Sequence, residues 1–240
     1  MEQHTAHKSF FEKYQLFFAV IICGVLIAGG LVTAKIIETK NGSGGESVQT
    51  QASVRKEMIS IAKEIGVNKT AFATCLDNET NKQKIADAVA LAQNSGVQGT
   101  PTFFIVQGQK QFMILGARDE ATFEKAIEAG KAPADQPAQP GTEKIVLAPT
   151  DHWYGPKDAK TVIVEYADID CYYCKQAKPM IDKLLKDHPE YAFVYRHSPI
   201  VSLHPWAEYK AQASECAAQL GKGDETFFKF LDKAVTPNSN

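Results

Sequence analysis

From Tyr14 to Ala34 the chain runs 21 residues without a charge, through Leu16-Phe17-Phe18-Ala19-Val20-Ile21-Ile22. A helix of that length spans the roughly 30 Å hydrocarbon core of a bilayer. Residues 38–52 are polar and rich in glycine and serine, which predicts a flexible tether. Helical spacing then begins. Ser53 is the expected N-cap of a helix that turns Met58, Ile59, Ile61, Ala62 and Ile65 inward and stops at Gly66. Asn68 is placed to cap a short helix bearing Ala71, Phe72, Cys75 and Leu76. A longer one is predicted from Thr80 to Asn94, with Ile85, Val89 and Ala92 on one face. The pattern changes at Gly99-Thr100-Pro101-Thr102-Phe103-Phe104-Ile105-Val106, which reads as a strand headed by a proline. Gln107–Lys110 turns the chain into a second strand, 111–115, and Asp119 caps a helix with Phe123 and Ile127 that ends at Gly130.

Residues 131–142 are proline-rich and aperiodic, as a linker is. Beyond them the apolar, β-branched run that starts at Val162 predicts a buried strand reaching Asp170. Lys175–Leu185 has helical spacing, Tyr191–Arg196 reads as a strand, and a helix from Pro205 carries Ala211, Ala213, Cys216 and Ala217 to Gly221. Asp224 starts a last helix with Phe227, Phe228, Leu231 and Val235.

The first segment sets the expected location. Residues 1–13 form a cytoplasmic N-terminus and 14–37 a single-pass anchor in the cell membrane, with the folded part on the extracytoplasmic side, periplasmic or cell-surface. Lys8 and Lys13 before the span and Lys35 and Lys40 after it leave the charge bias weak, so they do not settle orientation by themselves. A cleaved signal peptide ending at Val32-Thr33-Ala34 is the alternative. Cys23 follows Ile22 rather than a small residue, which argues against a lipoprotein. The 240 residues are 44% hydrophobic, a globular composition, and a net charge of −2 gives no electrostatic case for nucleic acid. Of five cysteines, the four outside the apolar stretch can form two pairs, which suits an oxidising compartment.

The candidate chemistry is at Cys171-Tyr172-Tyr173-Cys174. Cys171 falls where a strand gives way to a helix N-terminus. Unpaired backbone N–H groups and the helix dipole there favour a thiolate, the species that attacks a disulfide. Cys174 lies one turn on and can close a disulfide with it. Half of a zinc site and a structural disulfide are the other readings of the pair. A tetrahedral zinc site needs four ligands, and the chain has no second Cys-x-x-Cys. His197 and His204 read as loop and helix-start residues rather than catalysts.

This segment resembles the thioredoxin superfamily, most closely its DsbA-like branch. Pro179 lies five residues after the second cysteine, Glu165 six before the first, and Tyr154-Gly155-Pro156-Lys157-Asp158-Ala159-Lys160 is similar to the family's leader. The Tyr-Tyr dipeptide departs from the commoner residues between the cysteines. Gly99-Thr100-Pro101-Thr102-Phe103-Phe104 resembles the family's cis-proline loop. The resemblance implies a thioredoxin-like α/β fold with an inserted helical subdomain. It implies a cis Thr100–Pro101 bond against the Cys171 sulfur, and a thiol–disulfide exchange in which Cys171 attacks and Cys174 resolves. Glu165 below the pair would relay the Cys174 proton, and Thr100 and Pro101 would shape the client groove. No cofactor or metal is implied. The expected partners are client proteins with thiols or disulfides and a membrane redox partner that reoxidises or reduces the pair.

The order of the two parts is reversed relative to the family. The cis-proline half, 53–130, precedes the Cys-x-x-Cys half, 143–240, and neither repeats the other. A circular permutation with the old termini joined through 131–142 is the simplest account. Reciprocal exchange of halves between two chains, and a reading frame truncated beyond Asn240, are the alternatives. In the permuted reading the chain is a monomer, and the end of the helix at Val235 lies near the start of the helix at Ser53. The family's order also puts Cys75 and Cys216 on neighbouring helices, and the resemblance to members with a second disulfide there implies that the two are bonded, with two reduced thiols as the other reading. The expected function is oxidation of client dithiols. Reduction or isomerisation, and a non-catalytic module that holds a metal or partner, are the rivals.

Overall fold

The computed structural model describes residues 49–137 and 144–235. The predicted anchor 14–37, Cys23 and most of the tether lie outside the described residues. Among those described, no helix is long and apolar enough to cross a membrane.

The elements run α1 (Gln51–Glu64), α2 (Lys69–Asp77), α3 (Lys82–Asn94), β1 (Thr102–Gln107), β2 (Lys110–Leu115), α4 (Glu120–Ala129), β3 (His152–Tyr154), β4 (Val162–Ala167), α5 (Tyr172–Asp187), β5 (Ala192–His197), α6 (Ala207–Leu220) and α7 (Asp224–Val235). Local chemistry explains most ends. Asn68 accepts from the Ala71 N–H at the start of α2, and Asp119 accepts from Thr122 at the start of α4. Gly130 closes α4 at φ 62°, a conformation that favours glycine.

Of the boundaries that differ from the sequence reading, three have a clear local cause. The N-cap of α1 is Thr50, not Ser53. Thr50 and Ser53 form a reciprocal capping box that satisfies two N–H groups instead of one. The tether therefore gives up residues 51–52 to the helix. Next, α3 starts at Lys82 rather than Thr80, and Asn81 makes no capping bond because its Oδ1 accepts from Gln219 at 2.6 Å while its NH2 group faces the Cys75 and Cys216 sulfurs. Finally, β4 ends at Ala167, since the Asp168 carboxylate captures the Asp170 N–H at 2.8 Å and bends the chain out of the ladder. The short β3 was not predicted. It is defined only by its antiparallel pairing with β5. The chain leaves it through Gly155 at φ 91°, where a Cβ would sit 2.7 Å from the Tyr191 carbonyl.

The sheet order is β2-β1-β4-β5-β3. β4 and β5 are parallel, and the other pairs are antiparallel. This is a thioredoxin-like α/β fold with a mixed sheet, and both predicted halves contribute to it. Thr102–Val106 of β1 pairs with Val162–Tyr166 of β4, so the earlier half supplies the neighbour of the later half's central strand. Both sheet faces are covered, which is why β1 and β4 read as continuous apolar runs. Phe103, Ile105 and Ile163 point into the core shared with α1, α2 and α4–α7. Phe104, Val164 and Tyr166 point to the opposite face, with Ala92 of α3 and Ile145. The period of two puts Glu165 on the same side as Ile163, beneath α5.

Part of the linker is held in place. The Gln136 side chain pairs with the outer edge of β2 as a strand would. Its amide N–H donates to the Met113 carbonyl at 2.8 Å, and its oxygen accepts from the Leu115 N–H at 3.2 Å. Farther on, the Ile145 N–H donates to Gln111 at 2.9 Å. The expected closeness of the end of α7 to the start of α1 is not seen. Lys233 of α7 pairs with Glu64 at the far end of α1. A helix of 14 residues is about 21 Å long, and its start lies instead near Trp206, whose indole donates to the Gln49 carbonyl.

Candidate active site

Cys171 is the N-cap of α5, with extended backbone angles of φ −63° and ψ 123°. Its carbonyl opens the helix by accepting from Lys175, and its own N–H donates to the Asp168 carbonyl at 3.1 Å. Both sulfurs are free thiols and nearly buried, with Cys171 6% and Cys174 5% exposed. The tyrosines between them point outward, 64% and 62% exposed. Across from the pair, the Thr100–Pro101 bond is cis, and the Cys171 Sγ lies 3.4 Å from the Thr100 carbonyl oxygen. Sequence positions 100, 101, 171 and 174, from opposite halves of the chain, thus meet at the end of the sheet where β4 finishes and β1 begins.

The two cysteines ionise very differently. Cys171 is pulled down to about 5, first by the hydrogen bond with the Cys174 side chain. Thr100 and the backbone N–H groups of Tyr173 and Cys174 add to this, against the opposing effect of burial. The sequence pointed to the helix terminus in general, and these two N–H groups are its concrete form. Cys174 is pushed far up, by its bond to the Cys171 sulfur first and by burial second. The surroundings therefore favour a thiolate at Cys171 and a retained thiol at Cys174.

Glu165 lies behind the pair. It is 7% exposed, and burial pushes its pKa up to about 8, with Lys178 pulling the other way. It shares a cavity of about 410 Å³ with Cys174, Lys178, Tyr195 and the apolar Phe228 and Leu231. Lys178 forms ion pairs with Asp182 at 2.7 Å and Asp232 at 2.8 Å. The Tyr195 hydroxyl is buried with no hydrogen-bond partner.

Cys75 and Cys216 form a disulfide between α2 and α6, 141 residues apart in sequence. His197 is not a loop residue. It ends β5, is 4% exposed, and its Nε2 lies 3.3 Å from the Glu215 carboxylate. His204 does lie in the loop before α6, and its Nδ1 is 2.8 Å from Asp168. Asp168, Lys178 and Tyr195 were not singled out from sequence. Only Asp168 carried a usable signal, an acid three residues before Cys171 at the end of an apolar strand. No group of three or more metal-ligating side chains is found among the described residues.

A mixed sheet with two cysteines at a helix N-terminus, facing a cis-proline loop, defines the thioredoxin-fold class. Two family models match the chain: a DSBA-like thioredoxin domain over residues 46–128, and a thioredoxin domain over 147–238. Together the two matches support a DsbA-like protein of the thioredoxin superfamily and, at the level of the family, a thiol–disulfide oxidoreductase.

Curated relatives match over a short stretch. A Na(+)/H(+) antiporter NhaA 3 of Salinispora tropica is 45% identical over 71 residues, 30% of this chain and 11% of that protein. An NhaA of Herminiimonas arsenicoxydans is 38% identical over 87 residues, 36% of this chain and 13% of that protein. The matched stretch is thus a small share of those relatives' length, and antiport is named for them as whole proteins. Among solved structures, the crystal structure of Pseudomonas aeruginosa DsbA2 matches at 31% identity with a TM-score of 0.33, covering 37% of this chain and 48% of that one.

Proposed function

We propose that this chain is a membrane-anchored oxidase that makes disulfides in client proteins on the extracytoplasmic side, through Cys171 and Cys174. The observation that supports it best is the depressed Cys171 pKa beside a Cys174 thiol. A disulfide has no such ionisation. Stabilising the Cys171 thiolate therefore favours the reduced pair and makes the oxidised pair the stronger oxidant.

In the proposed reaction a client thiolate attacks the Cys171 sulfur of the Cys171–Cys174 disulfide. The S–S bond breaks, and Cys174 leaves and takes a proton. Glu165, protonated at neutral pH, is the nearby donor. A second client thiolate attacks the client sulfur of the mixed disulfide and releases Cys171 as a thiolate. The client has lost two electrons and the pair has gained them, and a membrane redox partner removes them. Thr100 and Pro101 hold the client backbone beside Cys171.

The test is equilibration of the pair with glutathione, together with turnover of a dithiol peptide. The pair should be reduced by glutathione, and its oxidised form should oxidise the peptide. Cys171→Ser should abolish turnover, and Cys174→Ser should trap mixed disulfides. A pair that glutathione leaves oxidised would make the protein a reductase, and no exchange at all would make it a binding module.

We also infer that the reversed order is a circular permutation closed within one chain. The β1–β4 pairing, the Thr100 contact with Cys171 and the Cys75–Cys216 bond support it. Co-expressing a Cys75→Ala chain with a Cys216→Ala chain separates it from reciprocal exchange. Intrachain closure leaves the two unlinked, whereas exchange joins them in a disulfide-bonded dimer on a non-reducing gel.

A further inference from the structure

Asp168 is 1% exposed, and its carboxylate collects three donors. The Asp170 N–H reaches it at 2.8 Å, the Ile200 N–H at 2.7 Å and His204 Nδ1 at 2.8 Å. An aspartate carboxylate only accepts, so the His204 Nδ1 that faces it is the donor of that bond. The first donor lies in the turn that leads to Cys171, and the other two lie in the loop between β5 and α6. The backbone of Asp168 is used as well. Its carbonyl accepts from the Cys171 N–H at 3.1 Å. One residue thus holds the Cys171 backbone through its own carbonyl and the neighbouring loop through its side chain.

A buried charge is expensive unless it is fully paired, and an apolar residue in such a place is often at least as stable. The carboxylate therefore needs a reason beyond stability. The next acid repeats the arrangement. Asp170, immediately before Cys171, pairs with the buried Lys210 of α6 at 2.5 Å. The turn 168–171 is clamped twice to α6 and the loop that leads into it. The nucleophile's donors, the N–H groups of Tyr173 and Cys174, face the sulfur only if this turn keeps Cys171 in its extended conformation ahead of the helix.

We propose that Asp168 and His204 are a positioning pair for Cys171. The bond between them locks the turn that aims the Cys171 sulfur at the first N–H groups of α5. This rests on the reading of Cys171 as the attacking sulfur. Neither side chain touches the client, and both act through the turn.

The test uses the full chain in detergent, reduced, with three readouts: the pH midpoint of Cys171 alkylation, dithiol-peptide turnover, and near-ultraviolet circular dichroism. His204→Leu removes the donor. The alkylation midpoint should rise by about one pH unit, and turnover at saturating peptide should fall about tenfold with KM unchanged. His204→Asn, whose amide nitrogen stands where Nδ1 does and can still donate to Asp168, should recover most of both. A folded His204→Leu with the wild-type midpoint would overturn the proposal, as would a His204→Asn as impaired as His204→Leu. If His204→Leu does not fold, His204→Ala, which has no donor, replaces it. If neither folds while His204→Asn does, the bond serves stability and the positioning role is wrong. Wild-type chain with an acidic midpoint and no peptide turnover would sink the oxidase reading and leave this one standing.

Discussion

Lowered from 9.0 to about 5, the Cys171 ionisation ties the stability of the reduced protein to pH. An acid with a depressed folded pKa stabilises the fold fully above its unfolded pKa and loses that contribution as pH falls through the folded value. The reduced protein therefore has the full contribution above about pH 9, less below it, and none under about pH 5. Cys171→Ser lacks it throughout. The gap in melting temperature between the reduced wild type and Cys171→Ser should narrow as pH is lowered across that window. Glu165 works with the opposite sign. Its cost is absent below 4.5 and grows until about 8. Glu165→Gln should stabilise the reduced protein at neutral pH by on the order of 2 kcal/mol. The gain should shrink in urea titrations at acidic pH, and client turnover should slow. Stabilisation that is equal at both pH values would mean the carboxylate is not the buried acid described here.

Among the elements, what could be read from sequence was what carries its own local chemistry. Asn68, Asp119 and Gly130 each bond or bend their own backbone, and each was legible. Thr50 was missed because Ser53 has the same capping chemistry, and only the folded chain shows which of the two leads. The strand β3 has no periodicity to read in three residues, and its partner β5 lies about forty residues away. The end of β4 was overrun because Ile169 keeps the apolar run going, while the bend is made by the Asp168 carboxylate taking the Asp170 N–H and is held by partners as distant as Ile200 and His204. The candidate site divides in the same way. The cysteines, the proline and the glutamate stand in recognisable spacings, but the groups that tune them come from other elements. Gln136 is the element-scale case that can be tested. It substitutes for a strand at the open edge of β2, and Gln136→Ala removes two hydrogen bonds. Urea unfolding should show a loss of about 1–2 kcal/mol, with faster amide exchange at Leu115.

At the scale of the whole molecule, the two halves are joined by the sheet, by the Cys75–Cys216 bond and by polar links such as Lys84 to the buried Glu215. The disulfide closes a loop of 141 residues. Cys75→Ser/Cys216→Ser should lose about 2–4 kcal/mol of stability, measured by denaturant titration with Cys171 and Cys174 held reduced. Its position in the chain also sets a timetable. Synthesis proceeds at about 5–20 residues per second, so Cys216 is made roughly seven to twenty-eight seconds after Cys75. Cys171 and Cys174 emerge within that interval. Wherever the growing chain meets an oxidant, Cys75 thus has two wrong partners before the right one exists. Until β4 is made, β1 also waits with an open edge. With Cys216 made last, the maturation of this protein becomes a question of which cysteines meet first.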